Sequence, residues 1–173
     1  MRRNTFLLDF PNNEVKNGFL AMVASDYLKP RSSVNNWVQD TVDALQAGDT
    51  EGFRRLLTSF LSGIPYTMRR KENEREKERY FHYTFYLLMR LVSVYTVYTE
   101  KQQSEGRMDC VVEADNHVYI FEFKLDGTAD EALRQIEEKG YALPYLDDRR
   151  HLHRVGVSFS SDTGTVDDWK AIE

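Results

Sequence analysis

The chain has 173 residues, with 23 Lys+Arg against 28 Asp+Glu for a formal charge of -5, a size that fits one domain or one domain with a helical appendage. Apolar residues make up 41% and aromatic residues 13%, enough for a core, which argues against wholesale disorder. The mild acidity argues against a generic nucleic-acid coat, because such binding depends on a basic footprint, and leaves room only for a local basic groove.

Met1-Arg2-Arg3-Asn4 lacks the apolar run of a secretion signal, so a reducing, cytoplasmic setting is expected. Residues 1–66 read as mainly helical. Phe19, Leu20, Met22, Val23, Tyr27 and Leu28 recur at helical spacing. A second helix is expected after Ser32 or Ser33, through Trp37, Val38, Val42 and Leu45 to Gly48, and a third over Thr50–Leu61, stopped by Gly63 and Pro65. None carries a catalytic constellation. They are expected to form an appendage, residues 1–66, on a domain spanning 67–173. Dense alternating charge from Met68 to Arg79 passes without a breaker into Tyr80, Phe81, Phe85, Leu88, Leu91 and Val92, which predicts one long helix, solvated first and buried later. The stretch from Phe81 to Tyr98 is interrupted by His82 and Arg90, so no membrane span is expected.

The period then changes from that of a helix to that of a strand. Val94–Thr99, Met108–Glu113 and Val118–Lys124 read as strands, with turn residues Asp115-Asn116 between the last two. Cys110, the single cysteine, excludes an internal disulfide. Thr128 or Asp130 caps a helix through Ala132, Leu133, Ile136 and Tyr141 that stops near Pro144. Val155–Phe159 reads as the last strand, followed by a tail in which Trp169 packs back. The order is helix, three strands, helix, strand.

If Asp115 and Asn116 occupy a tight hairpin turn, Ala114 pairs with His117 and Asp109 lies across from Glu122. Lys124 shares the face of Glu122, together with Val111, Val118 and Ile120, while Cys110, Val112, Tyr119, Phe121 and Phe123 take the other. Both faces are apolar except at one end, where two carboxylates and an ammonium converge. Opposed carboxylates repel, by about 0.2 to 1 kcal/mol on an exposed sheet, and a divalent cation compensates them. Hard Mg2+ prefers such oxygens, lowers the pKa of a bound water and stabilises charge on phosphoryl oxygen, with a lysine beside the nucleophile. The plainer reading is an ion pair of Lys124 with Glu122 or Asp109 at a sheet edge.

Gly106-Arg107-Met108-Asp109, a hairpin, then Phe121-Glu122-Phe123-Lys124, followed by Ala132-x-x-Gln135-Ile136, Tyr141 and Val155-Gly156-Val157-Ser158-Phe159, resembles the PD-(D/E)xK nuclease superfamily. More narrowly, it resembles the nuclease-like domain found C-terminal to AAA-ATPase-like domains in bacterial proteins. The likeness covers roughly residues 74–173, and Phe10-Pro11-Asn12-Asn13-Glu14-Val15 resembles the segment that joins the two domains. The resemblance implies a restriction-endonuclease-like α/β core, a central mixed sheet flanked by helices, with the N-terminal helices appended. It also implies a metal-dependent phosphodiester hydrolase that uses Mg2+ or Mn2+ and acts on DNA rather than RNA. Asp109, Glu122 and the main-chain carbonyl of Phe123 would hold the ion and Lys124 would serve the attacking water. A glutamate on the first core helix would complete the site, Glu78 ahead of Glu74. Met108 stands where many relatives have Pro.

Gln135 is expected to support the site and Tyr141 to adjoin it. Arg107 is expected to contact a substrate phosphate, or else to be a plain surface arginine. His82 has no His or Cys partner at zinc-ligand spacing, His151 and His153 are expected in a charged loop, and no Gly-rich loop for ATP is present. The alternative expectation is a catalytically silent nuclease-fold module that binds nucleic acid or protein beside an AAA-ATPase-like partner. Homodimerisation is left open, as is a purely structural ion pair inside an oligomer interface.

Overall fold

The computed structural model describes residues 34–64, 74–92, 96–103 and 106–173, and the helix expected at residues 12–28 lies outside them. Helix α1 (Val34–Gln46) presents Trp37, Thr41 and Leu45 at four-residue steps as its buried stripe. Gly48, with φ 70°, turns the chain, and Asp49 accepts a hydrogen bond from the Gly52 amide at 2.7 Å to cap α2 (Thr50–Ser62). Phe53, Leu57 and Leu61 form the buried stripe of α2, and the Trp37 indole donates to the Leu56 carbonyl at 3.0 Å. Helix α3 (Glu74–Leu91) buries Phe81, Phe85, Leu88 and Met89. The charged stretch before it, 68–73, is outside the described residues.

Among the described residues five strands follow rather than four: β1 (Thr96–Gln103), β2 (Gly106–Glu113), β3 (His117–Leu125), β4 (His151–Phe159) and β5 (Val166–Ile172), in the order β1-β2-β3-β4-β5. Of these described strands β3 and β4 pair in parallel and the other neighbours antiparallel. Parallel neighbours need a crossover, and α4 (Ala129–Glu138) provides it. The expected hairpin register holds: Cys110 pairs with Phe121, Val111 with Ile120 and Glu113 with Val118, and the Ala114 amide donates to the His117 carbonyl at 2.8 Å.

Three expectations require correction. The C-terminal tail is the fifth strand, antiparallel to β4, with Trp169 opposite Val157. Strand β1 runs on to Gln103, because Lys101, Gln102 and Gln103 continue the ladder against Met108, Arg107 and Gly106 despite having no apolar pattern. Helix α4 stops at Glu138. There Gly140 takes φ 61°, its amide donates to Glu137, and the Tyr141 amide reaches back to Ile136, a paired C-terminal closure that only a left-handed residue allows.

Two cores sandwich the sheet. On one face Cys110, Val112, Tyr119, Phe121, Phe123, Val155, Val157 and Phe159 meet α1, α2 and α3. The Phe53 ring on α2 lies 5.8 Å from Phe121 and 6.1 Å from Phe85, so α2 packs into the same core as α3 and the sheet. On the other face Val111, Val118 and Ile120 pack with Leu133, Ile136, Tyr141 and Tyr145 beneath α4.

Candidate active site

The acids sit just beyond the Cys110–Phe121 pair of the β2–β3 ladder. Asp109, whose side chain is 18% exposed, accepts a hydrogen bond from the Phe123 amide at 2.9 Å, so its carboxylate stands in for the next rung of the ladder. This contact fixes Asp109 against the strand that carries Glu122 and Lys124. Glu122 is buried, 2% exposed. Burial first, and then the nearby Asp109 charge, push its carboxyl up to about 8, against the opposing pull of Lys124.

Gln135 joins the acid to the base. Its Oε1 accepts from Lys124 Nζ at 2.5 Å, and its Nε2 donates to Glu122 Oε1. An ammonium can only donate, so Lys124 fixes which end of the amide is oxygen and leaves the NH2 facing the carboxylate. The seat of Gln135 follows from the start of α4. Thr128 and Glu131 form a reciprocal capping box, and the Ala129 amide donates to Asp168 of β5 at 2.8 Å. Gly156 in β4, the residue opposite Glu122, lets the first turn of α4 lie close: a Cβ there would overlap the Ala129 carbonyl oxygen.

Glu122 Oε2 is buried and has no hydrogen-bond partner. A carboxylate oxygen stranded beside a second carboxylate is the donor that a hard divalent cation takes. The donor chemistry therefore fits Mg2+ or Mn2+. Among the described residues no group of three or more His, Cys, Asp or Glu stands ready to enclose an ion.

The structure thus brings Asp109, Glu122, Phe123, Lys124 and Gln135 together. Tyr141 is beyond the end of α4, buried with Val111, Val118 and Ile120, so its placement by helical angle does not apply. The side chains of Glu78, Glu74 and Arg107 lie outside the described residues, although Glu78 is on α3 and Arg107 on β2 opposite Gln102. Sequence reasoning set His82 aside, because it has no His or Cys partner at ligand spacing. Its Nε2 is 3.9 Å from Asp109 Oδ2 and its ring 5.2 Å from that of Phe123. Its neighbours Phe81 and Phe85 at helical spacing were the available signal. His151 and His153 are in strand β4, not in a loop, because the sheet ladder continues from Val118 and Tyr119 back to His117.

The sequence model described as the PD-(D/E)XK nuclease superfamily matches residues 76–169. The chain is also similar to the uncharacterized protein in the vnfD 5'region of Azotobacter chroococcum mcd 1, with 34% identity over 163 residues. That match takes in 93% of this chain and 31% of the relative, so the chain spans less than a third of that protein's length. No solved structure shows significant similarity.

Proposed function

The chain belongs to the PD-(D/E)XK nuclease superfamily, and from that premise we propose that it is a metal-dependent phosphodiester hydrolase, an endonuclease acting on DNA. The observation that carries this reading is the buried Glu122 carboxyl, with one oxygen unpartnered, beside Asp109 and tied through Gln135 to Lys124. Asp109, Glu122 and the Phe123 carbonyl would hold Mg2+ or Mn2+, with Glu78 as a further ligand from α3. The ion supplies charge neutralisation and an activated water for attack on phosphorus.

The protein residues have separate tasks. Lys124 keeps a positive charge beside the attacking oxygen and the developing phosphorane charge, and Gln135 holds that ammonium in place. Asp109 is oriented by the Phe123 amide. Arg107 would meet a substrate phosphate, and Tyr141 would support the wall of the site from beneath α4. We further propose that the domain works in the cytoplasm, attached to an AAA-ATPase-like partner, which accords with the chain spanning less than a third of its relative. Among the described residues no helix is long and apolar enough to cross a membrane.

The test is plasmid DNA incubated with Mg2+ or Mn2+ and either the wild-type protein or Lys124→Ala. Loss of a group that stabilises transition-state charge costs about 100-fold or more in rate. Equal cutting by both proteins would remove Lys124 from the mechanism. No Mn2+ binding at millimolar concentration would favour a silent nucleic-acid or protein-binding module.

A further inference from the structure

Resting on the hydrolase reading above, we propose that Ser158 and Asp126 are positioning residues for Lys124: they clamp the turn after β3 onto the end of β4 and so hold the lysine in line with Gln135. A lysine has a long, freely rotating stem, and its charge helps a reaction only where it is aimed. Lys124 is the next-to-last residue of β3, and Ser158 is its partner in β4. Ser158 is fully buried, and a buried hydroxyl needs a hydrogen bond to offset the water it has lost. It makes one outside the ladder, where its Oγ donates to the Gly127 carbonyl at 3.0 Å.

Gly127 in turn rests on the lysine. A Cβ at Gly127 would stand 3.0 Å from Lys124 Cβ and 2.9 Å from Glu131 Oε2, so the bare backbone of the turn lies against the root of the lysine stem and against the cap of α4. The intervening Asp126 takes φ 54°, a left-handed conformation that side chains disfavour. Two contacts hold it there. Its amide donates to the Phe159 carbonyl at 2.8 Å, and its Oδ1 accepts from the Ser161 amide at 2.8 Å. Backbone in a sparse region persists only where its surroundings over-determine it. Here that point lies between Lys124 and the helix that carries Gln135. With the turn pinned by Ser158, Phe159 and Ser161, the first carbons of the lysine have little room, and its ammonium donates to Gln135 Oε1 at 2.5 Å.

The experiment measures plasmid cleavage with Mn2+, as kcat and KM, for wild type, Ser158→Ala, Asp126→Ala and Asp126→Asn, and for the two alanine variants again in the Lys124→Ala background. Beside it, proton–nitrogen NMR of the metal-free chain reads the Lys124 ammonium, assigned by its loss in Lys124→Ala and seen only while the group is held. Melting curves check folding, and Asp126→Ala, at an exposed position, carries the test if the buried Ser158→Ala does not fold. Each alanine variant is expected to lose the ammonium signal and to lower kcat about tenfold or more, with KM changed less than about twofold. Asp126→Asn tolerates the left-handed backbone and keeps an oxygen for the Ser161 amide, so it is expected to recover most of the rate and the signal. In the Lys124→Ala background the alanine variants should cost nothing further, because the lysine they position is gone. Equal losses in both backgrounds, or an unchanged ammonium signal in the folded alanine variants, overturn the inference and leave the hydrolase reading standing. A wild type that cuts no DNA overturns the hydrolase reading instead, and the ammonium signal then decides the clamp: lost in the alanine variants it supports the clamp, retained it overturns it.

Discussion

Glu122 shows how a single residue can trade stability for chemistry. A buried carboxyl next to another carboxylate is held near neutrality, with a pKa of about 8, and its ionised form finds only one good partner in the Gln135 amide. Replacing it with Gln keeps the shape, still accepts from Gln135 and supplies an NH2 that can donate toward Asp109. Glu122→Gln is therefore expected to raise metal-free stability by about 1 kcal/mol, or roughly 2–4 °C in melting temperature for a chain of this size, while abolishing Mn2+ binding. Melting curves in chelator, set beside calorimetry, check both halves. At this scale much was legible in advance. Alternation along β2 and β3 was enough to place Asp109, Glu122 and Lys124 at one spot, because a hairpin with a short turn leaves little freedom of register. His82 was not legible, since its relation to Asp109 is set by how α3 crosses the sheet, which no spacing along the chain encodes.

Among the elements, α4 matters most, because its placement decides where Gln135 points. Its start is secured three times: by the Thr128–Glu131 capping box, by Asp168 reaching over from β5, and by the absence of a side chain at Gly156. Gly156→Ala is expected to push the first turn of α4 off β4, at a cost of roughly 1–3 kcal/mol, and to loosen the Gln135–Lys124 contact. Denaturant titration would read the first effect, and cleavage measured above the new protein's stability threshold the second. A stable, fully active Gly156→Ala protein would show that α4 has slack. The cap of α4 was readable from Thr128 and its length was not, because the left-handed turn at Gly140 ends the helix before the apolar pattern does. Strand β5 escaped notice for a related reason: Val166-Asp167-Asp168-Trp169-Lys170 lacks a clean alternation, and its pairing depends on β4.

For the molecule as a whole, the N-terminal helices and the sheet meet at a histidine cluster. His117 Nδ1 lies 2.9 Å from His153 Nε2, Gly48 in the α1–α2 turn lies against the His117 ring, and the Tyr119 hydroxyl donates to Leu45 of α1 at 2.5 Å. His151 stacks on His117 at 5.2 Å, while Glu173 stands 3.8 Å from His153 and 3.9 Å from His151. Burial, followed by the neighbouring histidines, holds His117 and His153 below the ordinary value of 6.5, and Glu173 opposes this. Well above pH 6.5 neither the folded nor the unfolded chain protonates them, so the pair adds no pH dependence to stability. Below 6.5 the unfolded chain takes up protons first, and stability falls as pH drops. The buried Glu122 carboxyl works the other way over this range, because the folded chain protonates it first, so the histidine pair is read as a difference: between pH 7 and pH 5 the melting temperature of His153→Phe, which keeps the stacking against Tyr119, is expected to shift upward relative to wild type. An unchanged difference would locate the sensitivity elsewhere.

Cys110 pairs with Phe121 across β2 and β3, next to Asp109, fully buried and with its thiol pushed well above the ordinary range by burial and by the Asp109 charge. It is the single cysteine in the chain, so a soluble alkylating reagent could reach sulfur only when those two strands part. The molecule thereby contains a chemical stopwatch for the opening of the seam beside Asp109, one that ticks without any ligand.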